Sequence, residues 1–345
     1  MSTLRVAIAG ATGYTGEELI RLLLNHPHVH LTYLAASAKW DRPTPISDVY
    51  PRFARKLDLP LEALDPARLI QSCDVAFLAL PHGAAMELAP KLLQAGKRVI
   101  DLSGDFRLSD PALYPTWYQF THAHPELLTN KRVVYGLTEY HRDQIKAAEL
   151  VSNPGCYATS ILLAALPLFQ QKLVEDGRLL VDAKSGLSGA GRKPETPLLF
   201  AEASENLRPY KVNNHKHMPE VLQEIQRIAG TTPKMGFTPQ VIPIVRGLMS
   251  HLYIKTAAGT DKLATAYVMR YPAAQAPFVR IRPGSLPQLR DVIETNYCDI
   301  GFVHDAELGY ATIGSALDNL TKGASGQAVQ NLNVMYGFPE TTALN

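Results

Sequence analysis

The sequence predicts an α/β protein of two domains, a doubly wound parallel sheet followed by an α+β domain built on a mixed sheet. Three observations carry that expectation. Short apolar strand patterns alternate with helical patterns through the first half of the chain, a glycine run follows the first of those strands directly, and the rhythm changes after Cys156. Length agrees: 345 residues at 46% hydrophobic content exceed what one core usually organises, about 250–300 residues.

Taken in order, "LRVAIAG" is a short buried-strand pattern, and "GEELIRLLLNHP" places Leu19, Ile20, Leu22, Leu23 and Leu24 at helical positions before Pro27 ends the run. "HVHLTYLAAS" is a second strand. "DVAFLAL" and "KRVIDLS" are further strands on either side of the helical "GAAMELAPKLLQAG", and this alternation means parallel strands joined by helices. After Cys156 come a helix, the strand "RLLVDAKSG", a long irregular polar stretch and the helix "PEVLQEIQRIAG". The strand-like "FTPQVIPIV", "SHLYIKTAA" and "FVRIRP" follow, and the final "DNLTKGASGQAVQNLNVMYG" returns to helical spacing at Ala324, Ala328 and Leu332.

Thirty-four basic and 32 acidic side chains leave a net charge of +2 with no run of like charge, so neither nucleic acid nor a membrane surface is an expected partner. A small molecule is. The first apolar segment runs into glycines instead of a cleavage site, and "ILLAALPLF" is interrupted by Pro167 far short of the roughly 18–20 residues of a span. A soluble, cytoplasmic protein is expected. Cys73, Cys156 and Cys298 are far apart and lack CxxC spacing, which argues against a disulfide framework and a zinc ribbon. Cys73 and Cys298 lie in strand-like runs as packing residues. His26, His28 and His30 alternate along a strand entry with no carboxylate or cysteine beside them, so a solvated edge is expected and no metal site.

"GATGYTG" places Gly10, Gly13 and Gly16 between a strand and a helix, where glycines let the backbone approach a pyrophosphate held at the helix start. The alternative is a tight turn that needs positive φ. At the end of the second strand, "LAASAKW" offers Ser37 and Lys39 and no acid before Asp41, which suits the 2′-phosphate of NADP better than the bare ribose of NAD. The alternative is a solvated Lys39.

In "SNPGCYATS" the Pro-Gly pair forces a turn, so Cys156 falls at or near the first turn of the next helix. There the dipole and unpaired amides favour thiolate, and the same amides can receive an oxyanion. A small buried cysteine under a turn is the alternative. A nucleophilic thiol beside a nicotinamide domain points to acyl or aldehyde chemistry, which also needs a proton carrier. His217, in "NNHKHMPE", stands just outside a helix that Pro219 starts, with Glu220 three residues on to orient an imidazole; ordinary cap residues are the alternative. For anions, "DLSGDFRL" offers Arg107 and "KSGLSGAGRK" offers Arg192 and many amides, against a structural pairing of Arg107 with Asp101 or Asp105 and a flexible glycine tip.

"GATGYTGEEL", "LALPHGAA", "DLSGDFRL", "YGLTE", "NPGCYAT", "KSGLSGAGR", "NHKHMPE", "PIVRG" and "DNLTKGASGQAVQNLN" follow one another over nearly the whole chain. In this order they resemble the N-acetyl-γ-glutamyl-phosphate reductase family of arginine biosynthesis, related to aspartate-semialdehyde dehydrogenase. The resemblance implies a Rossmann NADP-binding domain from residues 1–153 and 319–345, and a catalytic and oligomerisation domain from 154–318. A carboxyl-terminal helix from about Asn319 would return to the first domain. It implies NADPH-dependent reduction of N-acetyl-L-glutamyl 5-phosphate to the 5-semialdehyde and phosphate, through a thioester on Cys156, with His217 as acid/base and Glu220 holding it. NADP(H) would sit on the loop from Gly10 through Thr12, Gly13, Tyr14 and Thr15 to Gly16. Ser37, Lys39, Pro81, Asn319 and Gln327 would also border it. Arg107 would face the substrate phosphate, and Ser188 to Arg192 would border the active site. Arg208 and Arg246 are both candidates for the substrate carboxylate, and a homodimer or homotetramer is expected. The family often has Ser-Arg where this chain has Ser37-Ala38, which passes the grip on the 2′-phosphate to Lys39 or Arg42. Two other readings are a reductase of carrier-bound aminoadipyl phosphate in lysine biosynthesis and a non-catalytic NADPH sensor.

Overall fold

Alternating β-branched and small apolar residues make Leu4–Ala9 a strand whose last four residues are fully buried. The structure, a computed structural model, describes residues 3–130 and 132–344; Met1, Ser2, Lys131 and Asn345 lie outside the described residues. The chain divides into two units, one running to Asn153 and resuming at Ala324, the other Pro154–Gly323.

The first unit holds one eight-stranded sheet: β1 (Leu4–Ala9), β2 (Val29–Ala35), β3 (Thr44–Pro45), β4 (Pro60–Glu62), β5 (Val75–Leu78), β6 (Arg98–Asp101), β7 (Val133–Tyr135) and β8 (Leu150–Ser152). Its order is 3-4-2-1-5-6-8-7, and every pairing is parallel except β3 with β4. Strand order reverses between β1 and β5, the point at which ligands bind in such sheets. The glycine loop leaves β1 there. Gly10 has φ +92°, and a Cβ on it would lie 2.1 Å from the Ala79 carbonyl oxygen just beyond β5. A Cβ on Gly16 would lie 2.3 Å from the Gly10 oxygen. Both glycines are demanded by the turn itself.

The helix that closes this unit begins at Gly326 and runs to Tyr336, not from Asn319 as the sequence implied. A wide π-type turn at Thr321–Ser325 precedes it. Asp318 caps that turn, its carboxylate accepting the amides of Leu320 (2.8 Å) and Thr321 (3.2 Å), and its carbonyl accepts the Gly323 amide (2.9 Å), an i→i+5 bond that makes the turn π-type before the α-helix begins. Residues 319–323 belong to the second unit. His26 also departs from expectation. It is 4% exposed, its Nε2 lies 2.8 Å from Asn333 Oδ1, and its ring meets Phe338 edge-on at 5.3 Å, while His28 and His30 are exposed. The histidine run anchors the carboxyl-terminal segment as well as facing solvent.

The second unit is a seven-stranded mixed sheet of β9 (Arg178–Gly186), β10 (Arg208–Pro209), β11 (Lys234–Ile242), β12 (Leu248–Lys255), β13 (Val279–Pro283), β14 (Cys298–Asp305) and β15 (Tyr310–Leu317), ordered 10-11-9-12-15-14-13. Helix Cys156–Gln170, buried from Tyr157 to Phe169, packs against β12 and β15. A helix apolar all round needs cover on every side. Pro167 supplies no N–H to the Leu163 carbonyl, and the Tyr271 hydroxyl donates to it instead at 2.7 Å, with Tyr267 on Ala164 at 2.6 Å. On the sheet's other face, Leu180 and Tyr253 pair across β9 and β12 and Val303 lies beyond β15 in β14, each more than 40% exposed. Cys298 opens β14, whereas Cys73 ends the helix Pro66–Ser72 just before β5; both are buried, and no cysteine is in a disulfide. Among the described residues no helix is long and apolar enough to cross a membrane, and no cluster of three metal-ligating side chains occurs.

Candidate active site

Pro154 and Gly155 turn the chain so that Cys156 is the first residue of the helix Cys156–Gln170, with Gly155 as its extended N-cap (φ −70°, ψ 149°). The thiol is half-buried, and no acid occupies the first turn. The positive end of the helix dipole is thus left to act on the sulfur.

His217 reaches the same place from another element. It caps the helix Met218–Ala229, whose second residue is Pro219, and is 6% exposed. Its imidazole lies flat against the Gly155 α-carbon: a Cβ on Gly155 would come within 2.3 Å of Nε2 and 2.6 Å of Cδ2 and Cε1. Glu220, fully buried, accepts the Gly155 amide through Oε2 at 3.0 Å and places Oε1 3.9 Å from His217 Nε2. The carboxylate holds the Cys156 turn by a hydrogen bond and stands beside the imidazole without bonding it, an arrangement the sequence did not foresee. The His217 amide donates to His215 Nδ1 at 3.1 Å, so that nitrogen carries no proton, and the two rings meet edge-on at 4.6 Å. Tyr157 flanks both rings, at 5.5 and 6.1 Å. Burial pushes the Tyr210 phenol up to about 12 and the Tyr157 phenol higher still, so both remain protonated. A Cβ on Gly323 would come within 2.9 Å of the Cys156 Cβ. His215 and Gly323 were legible only as "HKH" spacing and as one glycine in a helical run.

Ser188 is buried, its Oγ accepting Asn319 Nδ2 at 2.9 Å, while Asn319 Oδ1 accepts the Gly247 amide at 2.8 Å. Arg192 is exposed beyond Gly191 (φ +87°). The Arg246 Nε donates to the buried Asp318 carboxylate at 2.8 Å, whereas among the described residues Arg208 forms no ion pair.

In the first unit, Arg107 is 7% exposed and donates from Nε to the Asn153 carbonyl and from Nη2 to that of Leu102, each at 2.9 Å. Burial pushes the neighbouring Asp101 carboxyl up to about 7, helped by the Asp105 charge and opposed by Ser103 and Arg107. Asp105 accepts the amides of Gly83 (2.8 Å) and Met86 (3.0 Å) at the helix after β5. Thr12, Tyr14 and Thr15 are half-buried on the glycine loop, and Ser37, Lys39 and Pro81 are exposed at the ends of β2 and β5. Gln327 is fully buried, gives its Nε2 to the Gly136 carbonyl (3.0 Å) and the Thr138 hydroxyl (2.6 Å), and leaves Oε1 without a partner. Asn319 and Gln327, expected together at the cofactor, fall in different units.

Gly13 supports a dinucleotide, because a Cβ there would meet nothing nearer than 3.6 Å and its φ of −79° suits any residue. The fold does not require a glycine at 13, whereas a pyrophosphate approaching the backbone closely there would. Gly13→Ala is therefore expected to change stability by no more than about 0.5 kcal/mol while weakening NADPH binding. Gly10→Ala should cost at least about 1–3 kcal/mol. Thermal unfolding and NADPH fluorescence titration check the pair.

Residues 5–148 match the semialdehyde dehydrogenase NAD binding domain and residues 156–319 the semialdehyde dehydrogenase dimerisation domain. The N-acetyl-gamma-glutamyl-phosphate reductase of Syntrophobacter fumaroxidans is 46% identical over 343 residues, 99% of this chain and 98% of that one. That of Desulforudis audaxviator is 44% identical over 349 residues, with the same coverage. The chain belongs to the N-acetyl-gamma-glutamyl-phosphate reductase family. Aspartate semialdehyde dehydrogenase II from Vibrio cholerae, solved in complex with ASA, shares the fold at a TM-score of 0.72 and 19% identity, covering 98% of this chain and 99% of its own. Membership of the reductase family makes the first unit a nicotinamide dinucleotide domain and the chain an oxidoreductase.

Proposed function

We propose that the protein reduces N-acetyl-L-glutamyl 5-phosphate to N-acetyl-L-glutamate 5-semialdehyde in arginine biosynthesis, with NADPH as the reductant. The observation that carries this is a cysteine at a helix N-terminus whose preceding glycine packs on an imidazole and bonds a buried carboxylate. That is machinery for attack on an acyl group, and the family names its substrate.

His217 takes the Cys156 proton, and the thiolate adds to the acyl carbon. The carbon–oxygen bond to phosphate breaks, leaving an acyl thioester on Sγ and inorganic phosphate. Arg107, its guanidinium already fixed by two carbonyls, receives the phosphate as a preorganised cation. When bound, the nicotinamide supplies the hydride that reduces the thioester carbon. The charge on the oxygen then closes the carbonyl as the carbon–sulfur bond breaks, His217 returns its proton to the departing sulfur, and the aldehyde leaves. Arg208 holds the substrate carboxylate, since Arg246 is already paired with Asp318. Lys39 grips the 2′-phosphate, and the Gln327 Oε1 acceptor suits an amide donor of the cofactor. The exposed apolar face of Leu180, Tyr253 and Val303 is the contact for a second copy, and cysteines that form no disulfide fit a reducing cytoplasm.

The test is the reverse reaction. NADP⁺ reduction with N-acetylglutamate 5-semialdehyde is expected to require phosphate and to outrun both aspartate semialdehyde and NAD⁺. Preference for aspartate semialdehyde overturns the substrate, and no turnover by a folded, NADPH-binding protein overturns the reaction.

A further inference from the structure

The reaction above uses no side chain of residues 318–323, yet this short stretch after β15 is heavily anchored. Asp318 is fully buried, and its carboxylate accepts the Arg246 Nε at 2.8 Å and the amides of Glu294 (2.7 Å), Leu320 (2.8 Å) and Thr321 (3.2 Å). Asn319 accepts the Gly247 amide through Oδ1 (2.8 Å) and donates from Nδ2 to the Ser188 hydroxyl (2.9 Å). The Thr321 hydroxyl donates to the Thr295 carbonyl. Each of these bonds orders a side chain that a loop merely leaving the sheet could leave free. What they hold is Gly323, whose amide donates to the Asp318 carbonyl at 2.9 Å. Its φ lies outside the left-handed region, so the backbone does not demand glycine. Space does: a Cβ on Gly323 would come within 2.9 Å of the Cys156 Cβ and 3.2 Å of both the Asp318 carbonyl oxygen and Leu317 Cδ1. Cys156, Gly323 and every anchor of the stretch belong to the second unit.

The sulfur of a cysteine has three staggered positions about its Cβ. A backbone pressed against that Cβ closes the side it occupies, and the thiol takes its direction from what is left. We infer that Gly323 is a positioning residue for the proposed reaction: seated by Asp318 against the Cys156 Cβ, it sets the direction of the thiol at the helix start. This rests on Cys156 being the nucleophile. Gly155 admits the His217 ring and Gly323 admits the turn after β15, so the nucleophile is bracketed by two residues without side chains.

Gly314 provides the comparison. It lies in β15 next to Ser315, whose hydroxyl meets that of Ser160 on the Cys156 helix at 3.0 Å, so Gly314 faces the opposite side of the sheet. A Cβ there would come within 2.8 Å of Pro287 Cδ, much the same crowding, and its φ too lies outside the left-handed region. Gly323→Ala and Gly314→Ala should both lower the melting temperature. Only the first should slow iodoacetamide alkylation of Cys156, alter its pH profile, and cut kcat by roughly tenfold with little change in KM for the semialdehyde, the scale expected of a small misplacement. Equal effects of the two variants, or parental alkylation and kcat in Gly323→Ala, overturn the inference. If Gly323→Ala does not fold, Thr321→Val, which removes one anchor of the stretch without adding bulk, is read against Gly314→Ala by the same criteria. A parent enzyme that alkylates normally but does not turn over would refute the proposed reaction instead, and the alkylation comparison would still decide the role of Gly323.

Discussion

Cys156→Ser is expected to abolish acyl-phosphate reduction, with kcat falling by at least about 10³-fold, while NADPH binds as tightly as to the parent. The substitution keeps the helix, the Gly155 cap and the imidazole in place and changes one atom. A serine hydroxyl stays protonated where a thiol ionises, and the dipole of one helix is too weak to close that gap. NADPH binding should survive because the glycine loop belongs to the other unit. Steady-state turnover beside a fluorescence titration checks both halves. Residual activity above about one per cent of the parent would remove Cys156 from the mechanism.

Gly155→Ala carries the second-largest expected effect. The new methyl would sit 2.3 Å from His217 Nε2 and within 2.6 Å of two ring carbons. The ring cannot swing away easily, because His215 meets it at 4.6 Å and Tyr157 at 6.1 Å, and His217 is 6% exposed. Either the imidazole shifts or the turn does, and in the second case the Gly155 amide leaves Glu220. A displacement near 1 Å costs about 10²-fold in rate, and overpacking costs roughly 1–3 kcal/mol in stability. Turnover and a thermal melt should show the rate falling much further than the stability loss explains. Parental kcat in a stable Gly155→Ala protein would mean the contact with His217 is incidental to the chemistry.

Both effects turn on residues the sequence brought forward, and the reason is local. Cys156 follows Gly155, Glu220 follows Pro219 and His217 is the cap two residues before that proline, so their placement follows from a few neighbouring residues. The glycine loop was legible for the same reason, though the separate purposes of Gly10 and Gly13 emerge only from what surrounds them in space. Long-range pairings were not legible. His26 read as solvated because its partner, Asn333, is 307 residues away. The π-type turn at Thr321–Ser325 that leads into the last helix includes an i→i+5 bond from Gly323 to Asp318, which periodicity cannot register. Nothing local told Arg208 from Arg246, because the Arg246–Asp318 ion pair joins residues far apart in the chain. Short strands such as Thr44–Pro45 and Arg208–Pro209 have no pattern of their own and exist through the strands they pair with.

The division of the first unit between the two ends of the chain has a consequence for synthesis. A ribosome releases the sheet strands early, but the helix Gly326–Tyr336 and the segment after it follow only once the whole second unit has been made. Until then the buried faces that cover Tyr14–Leu23 and Thr138–Ala147 are missing, and His26 has no Asn333 to bond. Closure of contacts this far apart in sequence is slow, and partly covered sheets are prone to associate meanwhile. The half of the protein that is translated first is thus the half that finishes folding last, and a nascent chain acquires its complete dinucleotide domain only after its second unit is already available to fold.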